Sequence, residues 1–171
     1  AAAVTAAPVN AGVYTLSETG GPEGYTEGTW GCDAGALVGA ELTLVLDETA
    51  VCTINNDDDA ATLTLVKTVT NNNGGSAVVT DWTLNAAGPT PISGVTGAAA
   101  GTAARVEAGV YSLSETGGPE GYTEGTWGCD AGALVGAELT LVLDETAVCT
   151  INNEADAATL TMVKTATKNA G

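Results

Sequence analysis

Thr62-Leu63-Thr64-Leu65-Val66-Lys67-Thr68-Val69 alternates polar and apolar residues and then breaks into Asn71-Asn72-Asn73-Gly74-Gly75. A period of two marks a strand with one buried face, and an Asn/Gly cluster supplies the turn that ends it. The chain as far as Asn153 is written in the same way. Ala77 to Ala86 reads as a second strand, with Val78, Trp82 and Leu84 on one face. Pro89 and Pro91 interrupt the chain before a weak strand near Ile92. Thr102 to Glu107 and Gly109 to Glu115 give two more, and Gly117-Gly118-Pro119-Glu120-Gly121 a loop. Tyr122 to Cys129 follows, and Glu138 to Leu143, a turn at Asp144-Glu145 and Thr146 to Asn153 close the set as a hairpin. About seven short strands, with no amphipathic helix of useful length, predict an all-β sandwich.

Working outward, the same text occurs twice. Ala11 to Gly74 aligns with Ala108 to Gly171 at an offset of 97, with seven differences in 64 positions: Thr15/Ser112, Asp57/Glu154, Asp58/Ala155, Leu65/Met162, Val69/Ala166, Asn71/Lys168 and Asn73/Ala170. That period is too long for a solenoid repeat and fits one small domain. The expected organisation is therefore tandem. Residues 1–58 are the C-terminal part of a preceding repeat, 59–156 a complete β-sandwich repeat, and 157–171 the first strand of a following one. The chain reads as a window cut from a longer array. End-to-end completion of one subunit by another is the weaker alternative, because the C-terminal piece offers no equivalent of residues 75–97.

Composition narrows the function classes. Four Lys and Arg against 21 Asp and Glu give a formal net charge of -17. A phosphate backbone or an anionic membrane surface would be repelled, so neither nucleic acid nor membrane insertion is expected. The longest apolar runs are too short to span a bilayer. With no His in the chain, no Ser/His or Cys/His pair can form, and no enzyme activity or cofactor is expected. Cys32 and Cys52, like Cys129 and Cys149, lie 20 positions apart in identical settings. Pairing within each repeat closes a short loop, with links between domains or chains as the alternative. Disulfides imply an oxidising compartment, hence an extracellular, cell-surface location. Asp57, Asp58 and Asp59 at one junction, and Glu154 and Asp156 at the next, are weak calcium candidates beside the plainer reading of a solvated acidic linker.

Strand alternation puts three polar residues on apolar faces: Lys67 with Leu63 and Leu65, Glu115 with Tyr111 and Leu113, and Asn153 with Cys149 and Ile151. At Leu65-Val66-Lys67-Thr68, at Tyr111-Ser112-Leu113-Ser114-Glu115-Thr116 with Pro119-Glu120-Gly121-Tyr122, and at Cys149-Thr150-Ile151-Asn152-Asn153, the chain resembles the prealbumin-like repeat domains of bacterial surface proteins and pilins, including the collagen-adhesin B type, which are transthyretin- or immunoglobulin-like sandwiches. The resemblance implies a self-formed isopeptide bond, with Lys67 as nucleophile, Glu115 as proton shuttle and Asn153 as electrophile. Asn152 is the fallback acceptor, on the other face by parity. A buried core disfavours charged forms and so favours a neutral amine. A non-covalent Lys–Glu–Asn network is the alternative. Glu18 and Asn56 form a partial set for the preceding repeat, and Lys164 one for the following repeat.

The function expected is structural: a tandem-repeat segment of an extracellular bacterial surface fibre, pilus-like filament or stalk, whose partners are neighbouring copies of the same domain or subunit. The alternative is an adhesin or ligand-binding module that engages a host or surface ligand.

Overall fold

The computed structural model describes residues 6–98 and 104–168, which fall into two compact units, 1–60 and 61–171.

The second unit holds strands that pack as two sheets. We number all strands in chain order, with β1–β7 in the first unit. In the second unit these are β8 (Ala61–Thr70), β9 (Trp82–Ala87), β10 (Ile92–Gly94), β11 (Ala104–Val106), β12 (Gly109–Gly117), β13 (Tyr122–Glu124), β14 (Gly128–Cys129), β15 (Ala133–Val135), β16 (Glu138–Leu141) and β17 (Thr146–Ala155). One sheet has the order β10-β9-β12-β16-β15; the other runs β11-β8-β17-β13, with β14 also on β17. Every pairing is antiparallel except β8–β17, where the first and last strands run parallel with Lys67 opposite Ile151 and Val69 opposite Asn153. Between the sheets lie Leu63, Leu65, Leu84, Tyr111, Leu113, Leu139, Leu141, Cys149 and Ile151. The all-β sandwich read from the sequence is the fold observed.

Four local expectations are corrected. The strand expected from Ala77 starts only at Trp82, after a 3-10 turn at Val79–Asp81. The Asp81 carboxylate accepts from the Val78 backbone N–H at 2.9 Å and holds the turn, which leaves Val78 54% exposed instead of beside Trp82 and Leu84. Tyr122 to Cys129 is two strands, because the Gly125 N–H donates to the Asn152 carbonyl at 2.9 Å and lets the chain fold Trp127 into the core. The expected hairpin of Glu138–Leu143 with Thr146–Asn153 does not form. Its arms lie in different sheets, and the strand ends at Leu141. Glu145 accepts from the N–H groups of Val142 at 2.9 Å and Gly132 at 2.8 Å, and this clamp carries the chain from one layer to the other. Strand β15, hidden between Gly132 and Gly136, had not been expected and is the true hairpin partner of β16. The strand expected at Thr102–Glu107 is seen as Ala104–Val106; Thr102 and Ala103 lie outside the described residues.

The first unit has β1 (Gly12–Thr15), β2 (Tyr25–Glu27), β3 (Gly31–Cys32), β4 (Ala36–Val38), β5 (Glu41–Leu44), β6 (Cys52–Thr53) and β7 (Asn56–Asp58). They pair as β1-β5-β4, β2-β7 and β3-β6, the same pairings that their counterparts at offset 97 make. Here the counterpart of the continuous β17 is broken into β6 and β7. Among the described residues no strand lies along its other side. Residues 157–168, the copy of β8, carry no strand and are exposed throughout.

Gly118, just past the end of β12, lies against the Trp82 indole of the neighbouring strand β9, beside the site described next. Its φ is +85°, and a Cβ there would lie 2.1 Å from Trp82 Nε1. Gly118→Ala should therefore both strain the backbone and push Trp82 out of its seat, lowering the stability of the second unit by about 1–3 kcal/mol in denaturant unfolding followed by tryptophan fluorescence.

Candidate functional site: a buried Lys–Glu–Asn cluster

Lys67 lies on β8, Glu115 on β12 and Asn153 on β17, so the first and last strands of one sheet meet the central strand of the other. Alternation turns each side chain inward. Lys67 and Asn153 are each 2% exposed, among apolar neighbours that include Leu65 and Ile151. Lys67 Nζ donates to Glu115 Oε2 at 2.6 Å, and Asn153 Nδ2 donates to Glu115 Oε1 at 2.5 Å. One carboxylate thus grips both partners, one with each oxygen. The Lys67 backbone N–H donates to Thr96 Oγ1 at 2.6 Å, which ties this part of β8 to the loop after β10.

An aromatic wall completes the pocket. Lys67 Nζ lies 4.9 Å from the centroid of the Trp82 ring, a cation–π distance. Trp82 meets Tyr122 edge-on at 5.5 Å and 76°. The Tyr122 hydroxyl accepts from the Ala77 N–H at 2.9 Å and donates to Asn71 Oδ1. Trp82, Tyr122 and Thr96 had no assigned part in the sequence reading. The alternation that set Trp82 on one face with Leu84 was the signal for Trp82, whereas Tyr122 and Thr96 reach the site from loops and strand ends that carry no periodic signal.

Removing an ammonium and a carboxylate from water costs several kcal/mol per ion, and only close pairing offsets it. The pair is therefore held by its geometry. One atom is not satisfied: Asn153 Oδ1 is buried with no hydrogen-bond partner, an arrangement that a purely structural network would avoid. Chemically, the cluster offers an amine, a carboxamide carbon, and a carboxyl in hydrogen-bond contact with both nitrogens. That carboxyl is placed to move a proton from the amine to the amide nitrogen.

Asn152 points to the other face, where it accepts from the hydroxyls of Thr68 at 3.0 Å and Thr70 at 3.2 Å, away from the cluster. In the first unit Asn56 Nδ2 donates to Glu18 Oε1 at 2.6 Å, so this half-set also assembles, although Asn56 is exposed. Lys164 lies in the exposed segment 157–168 and joins neither set. The disulfides are Cys32–Cys52 and Cys129–Cys149, each between directly paired residues of neighbouring strands. The acidic candidates are not gathered around a cation site: Asp59 accepts from Thr26, Glu154 from Asn72 and Asp156 from Thr123. No group of three potential ligands is placed to hold a metal among the described residues, nor is any helix there long and apolar enough to cross a membrane.

The sequence matches the family model described as the prealbumin-like fold domain over residues 1–54 and 58–151. The chain belongs to that family. Among solved structures it is similar to the major pilin protein (T3.2) of Streptococcus pyogenes serotype GAS13637, at 19% identity over 86% of this chain and 69% of that one, with a TM-score of 0.41. No curated protein matches the chain.

Glu115→Gln leaves the Lys67 ammonium without its counter-ion in a dry core and should cost about 3–5 kcal/mol of stability. Adding Lys67→Met removes the orphaned charge, so the double variant should recover part of that loss. Chemical denaturation of the two variants checks both statements; equal stability of Glu115→Gln and the unaltered chain would contradict them.

Proposed function

We propose that this chain is a structural segment of an extracellular surface fibre or stalk, built from tandem prealbumin-like domains that crosslink themselves. Residues 59–156 are the complete repeat, 1–58 the later part of another, and 157–171 the first strand of a further one, with neighbouring copies of the domain as partners. The observation that carries this reading is the Glu115 carboxylate held within 2.6 Å of both the Lys67 amine and the Asn153 carboxamide nitrogen.

The reaction balances without an outside reagent. Glu115 takes a proton from the Lys67 ammonium, and the neutral amine attacks Asn153 Cγ. Glu115 then gives its proton to Nδ2 and takes one from the attacking nitrogen. The Cγ–Nδ2 bond breaks, ammonia leaves, and a Cγ–Nζ amide remains beside a neutral Glu115. This is a single event in each domain, not turnover.

Its use is mechanical. Tension along a tandem chain enters the repeat through β8 and leaves through β17, and these strands lie side by side in parallel. A Lys67–Asn153 amide joins them toward the C-terminal end of their shared ladder and carries that tension through covalent bonds. The Cys129–Cys149 disulfide secures the same last strand to β14.

Intact mass of the denatured chain, before and after reduction, tests the proposal. The expected mass is one ammonia below the sequence value after allowance for disulfide hydrogens. The ammonia deficit should survive reduction and disappear in Lys67→Met and Asn153→Ala. A mass equal to the sequence value once the disulfides are reduced would leave a non-covalent network, with the disulfides as the covalent staples.

A further inference from the structure

Glu115 holds the Lys67 amine at one point, and one contact does not fix an amine at the end of a flexible four-carbon stem. Attack on a carboxamide tolerates little misplacement: an error of about 1 Å can cost on the order of a hundredfold in rate. The Trp82 ring offers a second surface, with its centroid 4.9 Å from Lys67 Nζ. The strand alone does not brace that ring. Trp82 is the first residue of β9, directly after the 3-10 turn, and its partner across β12 is Gly117, which has no side chain to set against it.

Tyr122 supplies the brace. Its ring meets Trp82 edge-on at 5.5 Å, a favourable aromatic geometry. Its hydroxyl is fixed in a closed ring of three hydrogen bonds. The hydroxyl accepts from the Ala77 N–H at 2.9 Å and donates to Asn71 Oδ1, while Asn71 Nδ2 donates to the Ala77 carbonyl at 3.0 Å. Asn71 and Ala77 stand at the two ends of the turn that follows β8, so the phenol is clamped from both.

The turn is shaped to close on that hydroxyl. At Gly75 a Cβ would lie 2.2 Å from the Tyr122 hydroxyl oxygen, so a bare backbone is needed there. The other two asparagines of the run serve elsewhere. Asn72 Nδ2 donates to Glu154 Oε1 at 2.6 Å, and Asn73 Nδ2 to the Ala155 carbonyl at 2.7 Å. Of the three, Asn71 is the one that reaches the aromatic wall.

We infer that Tyr122 is a positioning residue for the Lys67 amine, acting through Trp82 and anchored by Asn71 and Ala77 of the turn after β8. Turn, phenol, indole and amine form one unbroken chain of contacts from the surface to the core. Resting on the crosslinking chemistry proposed above, its part in that reaction is to keep Lys67 Nζ within reach of Asn153 Cγ while Glu115 moves the protons. The Tyr122 hydroxyl itself bonds to the turn and takes no proton from the cluster. The Asn71-Asn72-Asn73-Gly74-Gly75 stretch, which by sequence only ends a strand, thereby acts on the site through two aromatic rings.

Two readouts on the whole 171-residue chain test this. The first is the rate of ammonia loss, followed by intact mass in samples drawn during cell-free synthesis. The second needs no reaction. In Asn153→Ala, which lacks the acceptor, the Trp82 ring current should shift the ε-methylene protons of Lys67 upfield in nuclear magnetic resonance spectra. Tyr122→Phe keeps the aromatic edge and loses the hydroxyl. It should stay folded by circular dichroism, slow ammonia loss by roughly tenfold, and, combined with Asn153→Ala, move the Lys67 signal toward its unshifted position. Asn71→Ala should do the same by a smaller factor, and it provides the test if Tyr122→Phe does not fold. Asn72→Ala, whose lost amide faces Glu154, should match the unaltered chain in both readouts. An unmoved Lys67 signal in the folded variant overturns the inference, and so does a displaced signal with no change in rate. Equal slowing in Asn72→Ala also overturns it, by assigning the effect to the turn at large. If the unaltered chain loses no ammonia, the crosslinking reading fails by itself, and the Lys67 signal alone decides the positioning role.

Discussion

The second unit is organised around a positive charge that has no water to stabilise it. With Lys67 sealed between two sheets, its ammonium depends on a carboxylate from the opposite layer and on the face of Trp82. That dependence fixes the relative position of β8, β9 and β12, and through Asn153 of β17 as well. A core made only of Leu, Val and Ile could slide by a residue pair with modest loss. An ion pair at 2.6 Å cannot.

The parallel pairing of β8 with β17 is the second organiser, and the two units illustrate its weight. Their sequences are close to identical over the shared positions, yet one packs a dense core and the other leaves Leu44, Trp30 and Tyr14 half-buried where Leu141, Trp127 and Tyr111 are buried. Local propensity is the same in both. What differs is the presence of β8 and of the strands β9 and β10 that follow it. Strand length here is set by the neighbour available for pairing rather than by the residues of the strand itself.

Much of this was legible in the sequence. Alternation alone put Lys67, Glu115 and Asn153 on inward faces, assigned Asn152 to the outer one, and separated the long strands from their turns. Equal spacing within duplicated settings identified the cysteine pairs. The errors fall where a side chain seizes a backbone N–H. Asp81 delays β9, and Glu145 turns an expected hairpin into a crossing between layers. Such contacts follow from three-dimensional proximity and leave no periodic trace. The aromatic wall was missed for a related reason: Trp82 reads as core from its neighbours, and only the packing shows that its face lies over an amine.

The parallel run of first and last strands also sets a length. A chain that enters at Ala61 and leaves at Ala155 travels the β8–β17 ladder in one direction, about 33 Å for a ten-residue strand. The unit therefore separates its entry from its exit by one strand length. In the fibre proposed above, adding or deleting whole repeats would change the reach in even increments without altering any core, and copy number would set the distance spanned.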